Sequence, residues 1–79
     1  MSKRVYELVA KVTNIESSLI DDKSGPESIE SWTSFKGYVL LSELETEFKV
    51  KFTIDEAMDV KNIADIKRHL INHGIVLDD

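Results

Sequence analysis

The sequence predicts an all-α domain: a four-helix bundle with a long loop between the first and second helices and a short third helix. Two observations carry this. Apolar residues recur at helical spacing in three separate stretches, and the stretches between them hold turn-forming residues rather than alternating strands. The absence of cysteine adds a constraint, because neither a disulfide nor a thiolate metal site is available and stability must come from a packed apolar core.

The first stripe is Val5, Leu8, Val9, Val12 and Ile15, with Lys3, Arg4, Glu7 and Lys11 on the opposite face. From Ser17 the periodicity lapses into Asp21, Asp22, Ser24, Gly25 and Pro26, which read as a long loop. Leu19, Ile20 and Ile29 within it are too apolar to stand in water, so the loop is expected to lie over the helices as an ordered cover. A second helix begins near Ser34 and carries Phe35, Leu40, Leu41, Leu44 and Phe48. The alternation of Val50, Phe52 and Ile54 is too short to pair as a strand and reads as a connecting segment. Thr53 and Glu56 have the spacing of a capping box, which places a short third helix over about 55–58. Asn62 offers the next N-cap, Ile63, Ile66 and Leu70 form the last stripe, and Gly74 supplies its stop.

With 79 residues the chain has room for one domain, 1–79, and little room for an internal catalytic cleft. The excess of acidic residues, a formal charge of -5, disfavours nucleic-acid backbones and anionic membranes and favours basic protein surfaces. Met1-Ser2-Lys3-Arg4 leads into charged periodic sequence rather than a secretory leader, and no apolar run is long enough to span a membrane. The expectation is a cytoplasmic monomer.

Little in the chain points to catalysis. There is no phosphate loop, zinc-ligand set or nucleophile elbow. His69 and His73, at i and i+4, read as a solvated pair near a fraying terminus, and Asp55, Glu56 and Asp59 as solvated helix faces. No metal is expected, and the chain is expected not to be an enzyme.

The informative segment is Trp32-Thr33-Ser34-Phe35 followed by Lys36-Gly37-Tyr38-Val39-Leu40-Leu41-Ser42-Glu43-Leu44-Glu45-Thr46-Glu47-Phe48. It resembles the acyl carrier protein family, in which an Asp-Ser-Leu motif opens the second helix and its serine carries the prosthetic arm. Ser34 falls on the modified serine, Phe35 on the motif leucine, and Leu40, Leu44, Glu45, Glu47 and Phe48 on matching helix positions without a gap. The resemblance continues through Phe52, Ala57, Val60 and Ile63 and spans about Val5 to Leu70. Thr33 departs from it, standing where the family has the Asp that helps the pantetheinyl transferase and its metal ion engage the carrier. Lys36 and Val39 also stand at positions that are acidic in many members.

The resemblance implies a bundle of the acyl carrier protein type with 4′-phosphopantetheine on Ser34, whose thiol holds acyl groups as thioesters in fatty acid, lipid or specialised secondary metabolism. The implied partners are a phosphopantetheinyl transferase and acyl-transferring or synthase enzymes, met through Thr33, Phe35, Lys36, Tyr38, Val39, Glu43, Glu45 and Glu47. Tyr38 and Val39 are expected to be exposed on this side, with packing of Tyr38 under the loop as the competing expectation. An acyl chain would lie against Leu44, Phe52, Ala57, Val60 and Ile63, with Phe52 and Met58 available to fill the space. Without the resemblance, Ser34 reads as the N-cap of the second helix. An aminoacyl or peptidyl carrier and an unmodified helical adaptor are the alternatives.

Overall fold

A computed structural model describes residues 2–77; the ends of the expected domain, Met1, Asp78 and Asp79, lie outside the described residues. Four α-helices follow one another: α1 (Ser2–Thr13), α2 (Ser34–Phe48), α3 (Ile54–Asp59) and α4 (Ile63–Asn72). A turn of 3-10 helix, Ser17–Leu19, interrupts the long loop, and no strand occurs among the described residues. Residues 50–53 are accordingly a connection, whereas Ile54, expected to belong to it, already opens α3. No helix of the described residues is long and apolar enough to cross a membrane.

The three long helices bury the stripes that define them. Val5, Leu8, Val9 and Val12 of α1 meet Leu40, Leu44 and Phe48 of α2 and Ile63, Ile66 and Leu70 of α4, all buried. Transfer of such side chains from water contributes about 1.5–3 kcal/mol each, which is what holds a chain this small together. Each long helix then stops in the same way. Asn14, Lys49 and Gly74 take positive φ, and the next residue's N–H returns to a carbonyl of the last turn: Ile15 to Ala10 at 3.2 Å, Val50 to Glu45 at 3.2 Å, Ile75 to Leu70 at 3.0 Å.

The loop between α1 and α2 is an ordered cover, as its apolar content requires. Ile20, Ile29 and Trp32 are buried against the core, whereas Leu19 is 72% exposed and does not serve as an anchor. Polar tethers hold the cover in place. Ser31 Oγ donates to the Thr13 carbonyl at 2.7 Å, and Lys67 of α4 reaches Asp22 at 3.1 Å beside the Tyr6 hydroxyl, which also donates to Asp22.

The same loop completes the start of α4. The first N–H groups of a helix have no partner within it. Here Ile63 N–H donates to the Ser24 carbonyl and Ala64 N–H to the Asp22 carbonyl, both at 3.0 Å, while Asn62 Oδ1 accepts from Asp65 N–H at 2.9 Å. Loop and helix are thus one hydrogen-bonded unit.

Helix α3 is different, because none of its residues is buried. Its start has the capping box that the sequence implies: Thr53 Oγ1 accepts from Glu56 N–H at 3.1 Å and Glu56 Oε1 from Thr53 N–H at 2.8 Å. The rest of its attachment comes from charge, in a form the histidine spacing alone does not reveal. His69 is 8% exposed rather than solvated, its Nε2–H donating to Asp59 Oδ2 at 2.8 Å; His73 Nε2 makes the same contact to Glu56 Oε2 at 2.8 Å, and Arg68 reaches Asp59 at 2.6 Å. The expectation of a solvated pair is corrected for His69, which is buried, and that of a solvated Glu56 for a half-buried one; Asp59 and His73 are exposed as expected and make these contacts from the surface. They pin α3 onto α4.

The Arg68 guanidinium, helped by His69, holds the Asp59 carboxyl below its ordinary value, and the Thr53 backbone N–H, with His73, does the same for Glu56. A carboxylate depressed in the folded state stabilises it above its unfolded pKa, and that contribution is lost as pH falls through the folded value. Acidification below about pH 4.5, the ordinary glutamate value, is therefore expected to loosen α3 before the rest of the bundle. Amide hydrogen exchange measures this directly: protection over 54–59 should fall while that of α1 persists, and parallel loss in both would contradict it.

Candidate functional site

Thr33 and Ser34 are adjacent hydroxyl residues at the start of α2, and the backbone decides which one caps it. Thr33 has extended dihedrals (φ -80°, ψ 172°) and its Oγ1 accepts from Lys36 N–H at 3.2 Å. Thr33 is the N-cap, and the reading of Ser34 as the cap is corrected. Ser34 is instead the first helical residue, exposed, with a hydroxyl that makes no hydrogen bond among the described residues. The N–H groups of Ser34 and Phe35 also find no acceptor there. No acidic side chain stands in this first turn, and Lys36 does. Two free donors, the positive end of a helix and a nearby cation form an environment suited to an anion linked to Ser34 Oγ.

Beside Ser34 opens a groove of about 490 Å³ between α2 and α3. Gly37, Leu40 and Leu41 form its α2 wall; Ile54, Ala57, Met58 and Val60 come from α3 and its end. Pro26 and the buried Trp32 close it from the loop, and Thr33, Ser34 and Tyr38 stand at its rim. Of the residues expected to line an acyl site, Ala57 and Val60 line this groove. Leu44 and Ile63 are fully enclosed in the core, and Phe52 packs edge-on against His73 at 5.5 Å. Neither Phe52 nor Met58 plugs the space, Met58 being 74% exposed.

The outer face divides equally clearly. Phe35 and Tyr38 are 72% and 70% exposed, so Tyr38 is not packed under the loop. Val39, expected to be exposed beside it, is half-buried against the core, and Lys36 is half-buried too. The three glutamates of α2 are engaged by this chain itself. Glu43 meets Lys11 at 3.5 Å and Glu47 meets Arg4 at 3.1 Å, both across to α1, and Arg4 holds the Glu47 carboxyl below its ordinary value. Glu45 Oε2 accepts from Phe52 N–H at 2.9 Å. The large exposed apolar side chains Phe35, Tyr38, Ile54 and Met58 stand on the helices that flank Ser34.

No protein-family model matches the chain, and no curated protein matches it.

Proposed function

We propose that the chain is a small carrier protein of the acyl carrier type, bearing 4′-phosphopantetheine on Ser34. The observation that carries this reading is the uncommitted Ser34 hydroxyl at the first turn of α2, on the rim of an apolar groove. The residues fit the group: Ser34 Oγ would be the attachment atom, the unpaired N–H groups of Ser34 and Phe35 would be available to a phosphodiester there, Lys36 brings a positive charge to the same turn, and Thr33 maintains the cap that keeps this turn in place. When bound, the arm supplies the thiol that this cysteine-free chain lacks, and acyl groups are held there as thioesters. Ala57, Val60, Leu40 and Leu41 offer an apolar chain a place out of water.

The chain is a substrate of its transferase in this reading and not an enzyme. Its partners are a phosphopantetheinyl transferase and acyl-transferring enzymes in the cytoplasm, with aminoacyl cargo as the sibling possibility. Tethering raises the effective concentration of cargo at each of them. An unmodified helical adaptor is the second reading, favoured by the exposed Phe35, Tyr38, Ile54 and Met58 and by Thr33 in place of an acidic residue.

Incubation with coenzyme A, magnesium and a broad-specificity transferase tests the reading by intact mass. A gain of one phosphopantetheine supports the carrier; no gain with any of several transferases supports the adaptor. Thr33→Asp sharpens the result. Aspartate caps a helix as well as threonine, so the fold should be unchanged while loading by a generic transferase accelerates. An equal rate in both proteins would show that Thr33 does not limit recognition.

A further inference from the structure

We propose that the groove between α2 and α3 binds a slender apolar ligand carrying one acceptor oxygen, a carbonyl or hydroxyl, and that the indole N–H of Trp32 donates to it. Trp32 is 3% exposed, and its backbone N–H is bonded to the Ile29 carbonyl at 3.0 Å. Its ring nitrogen, by contrast, has no acceptor among the described residues. Among the described residues no side-chain nitrogen or oxygen sealed from solvent lacks a partner, so this nitrogen touches open space, and the open space that Trp32 lines is the groove. A nearly buried indole ordinarily has its N–H satisfied, and here the partner must come from whatever occupies the groove, water or a ligand. The groove's other polar side chains, Thr33, Ser34 and Tyr38, are exposed at its rim, which makes the Trp32 N–H its one deep polar feature.

Gly37 supplies an independent reason. Glycine within a helix destabilises it relative to alanine, because it gives up more backbone freedom on folding. Nothing in the packing of this chain requires it, because a Cβ at Gly37 would meet only Trp32 Nε1, at an ordinary 3.6 Å. What the missing side chain leaves clear is the approach to that nitrogen. An apolar wall interrupted by one directed donor selects ligands that are apolar with one oxygen over plain hydrocarbons. Under the carrier reading, on which this last step alone rests, the oxygen belongs either to an acyl cargo or to an amide carbonyl of the prosthetic arm, which share this chemistry.

The inference concerns the groove itself and is independent of whether Ser34 is modified. Trp32 is the single tryptophan, so its indole N–H resonance needs no assignment. Titration of the unmodified chain with 2-octanone should move that resonance downfield and saturate. 1-Octene, which has no oxygen, should not. Gly37→Leu, a good helix former that fills this part of the groove, should abolish the 2-octanone response with helix content retained. An unmoved resonance, an equal shift with 1-octene, or a full response in folded Gly37→Leu would overturn the proposal; the hydrocarbon comparison decides it even if that variant fails to fold. Holo, octanoyl and 3-oxooctanoyl forms then identify the source. A shift already present in the holo chain assigns the oxygen to the arm, one appearing first with octanoyl assigns it to the thioester carbonyl of the cargo, and one appearing only with 3-oxooctanoyl assigns it to the cargo's 3-oxo group. Failure to load Ser34 would sink the carrier reading and leave the titration of the unmodified chain standing.

Discussion

Gly25→Ala is expected to lower the stability of the bundle by about 3 kcal/mol, the upper part of the range for overpacking a closed contact. Gly25 is buried where the loop crosses the start of α4. A Cβ there would run into the Lys61 carbonyl oxygen and stand 3.1 Å from Asn62 Cα, and both are backbone atoms that no rotamer change can move aside. Relief requires the loop to lift, which would strain the bonds from Ile63 and Ala64 to the carbonyls of Ser24 and Asp22. It would also disturb the turn in which Ser28 and Ile29 donate to the Gly25 carbonyl. Urea denaturation checks this: a lowered midpoint with an unchanged slope is expected, and a loss under about 0.5 kcal/mol would contradict the close approach.

Ser34→Ala and Thr33→Ala should have opposite consequences. Ser34→Ala removes the nucleophilic oxygen and is expected to abolish loading, yet its stability should match that of the parent because the hydroxyl holds nothing. Alanine is also the strongest helix former at such a position. Thr33→Ala leaves the Ser34 hydroxyl in place but deprives Lys36 N–H of its acceptor, at a cost of about 1 kcal/mol. Loading measured by mass and stability measured by thermal denaturation separate the two roles. A stability loss in Ser34→Ala equal to that in Thr33→Ala would show that the serine, not the threonine, caps the helix.

The parts of this fold that sequence makes legible are those determined within one or two turns. The stripes of α1, α2 and α4 repeat at helical spacing, Thr53 and Glu56 satisfy each other across one turn, and Gly74 stands at the positive φ that ends α4. What escapes such reading depends on contacts between distant segments. Trp32 is an isolated aromatic in a loop, with no periodicity to announce that it joins the core and closes the groove. The i, i+4 spacing of His69 and His73 shows that they share a face, but not that Asp59 and Glu56 stand opposite.

The glutamates of α2 illustrate the same limit. Their abundance suggests an acidic outward face, and Arg4 and Lys11 of α1, far away in sequence, pair with two of them at the surface. The cap was obscured for another reason. Thr33 and Ser34 have equivalent side-chain chemistry, and only the extended backbone at Thr33 distinguishes cap from first helical residue. That single-residue distinction is also what leaves Ser34 available for chemistry.

The most direct measurement is fragmentation of the tryptic peptide 24–36 from the chain after exposure to coenzyme A, magnesium and transferase. This peptide holds Ser24, Ser28, Ser31, Thr33 and Ser34, of which Ser24, Ser28, Ser31 and Thr33 use their hydroxyls in hydrogen bonds. The account predicts a phosphopantetheine on Ser34 and on no other residue of the peptide. A modification mapped to any of the others, or a peptide that stays unmodified with every transferase tried, would contradict it.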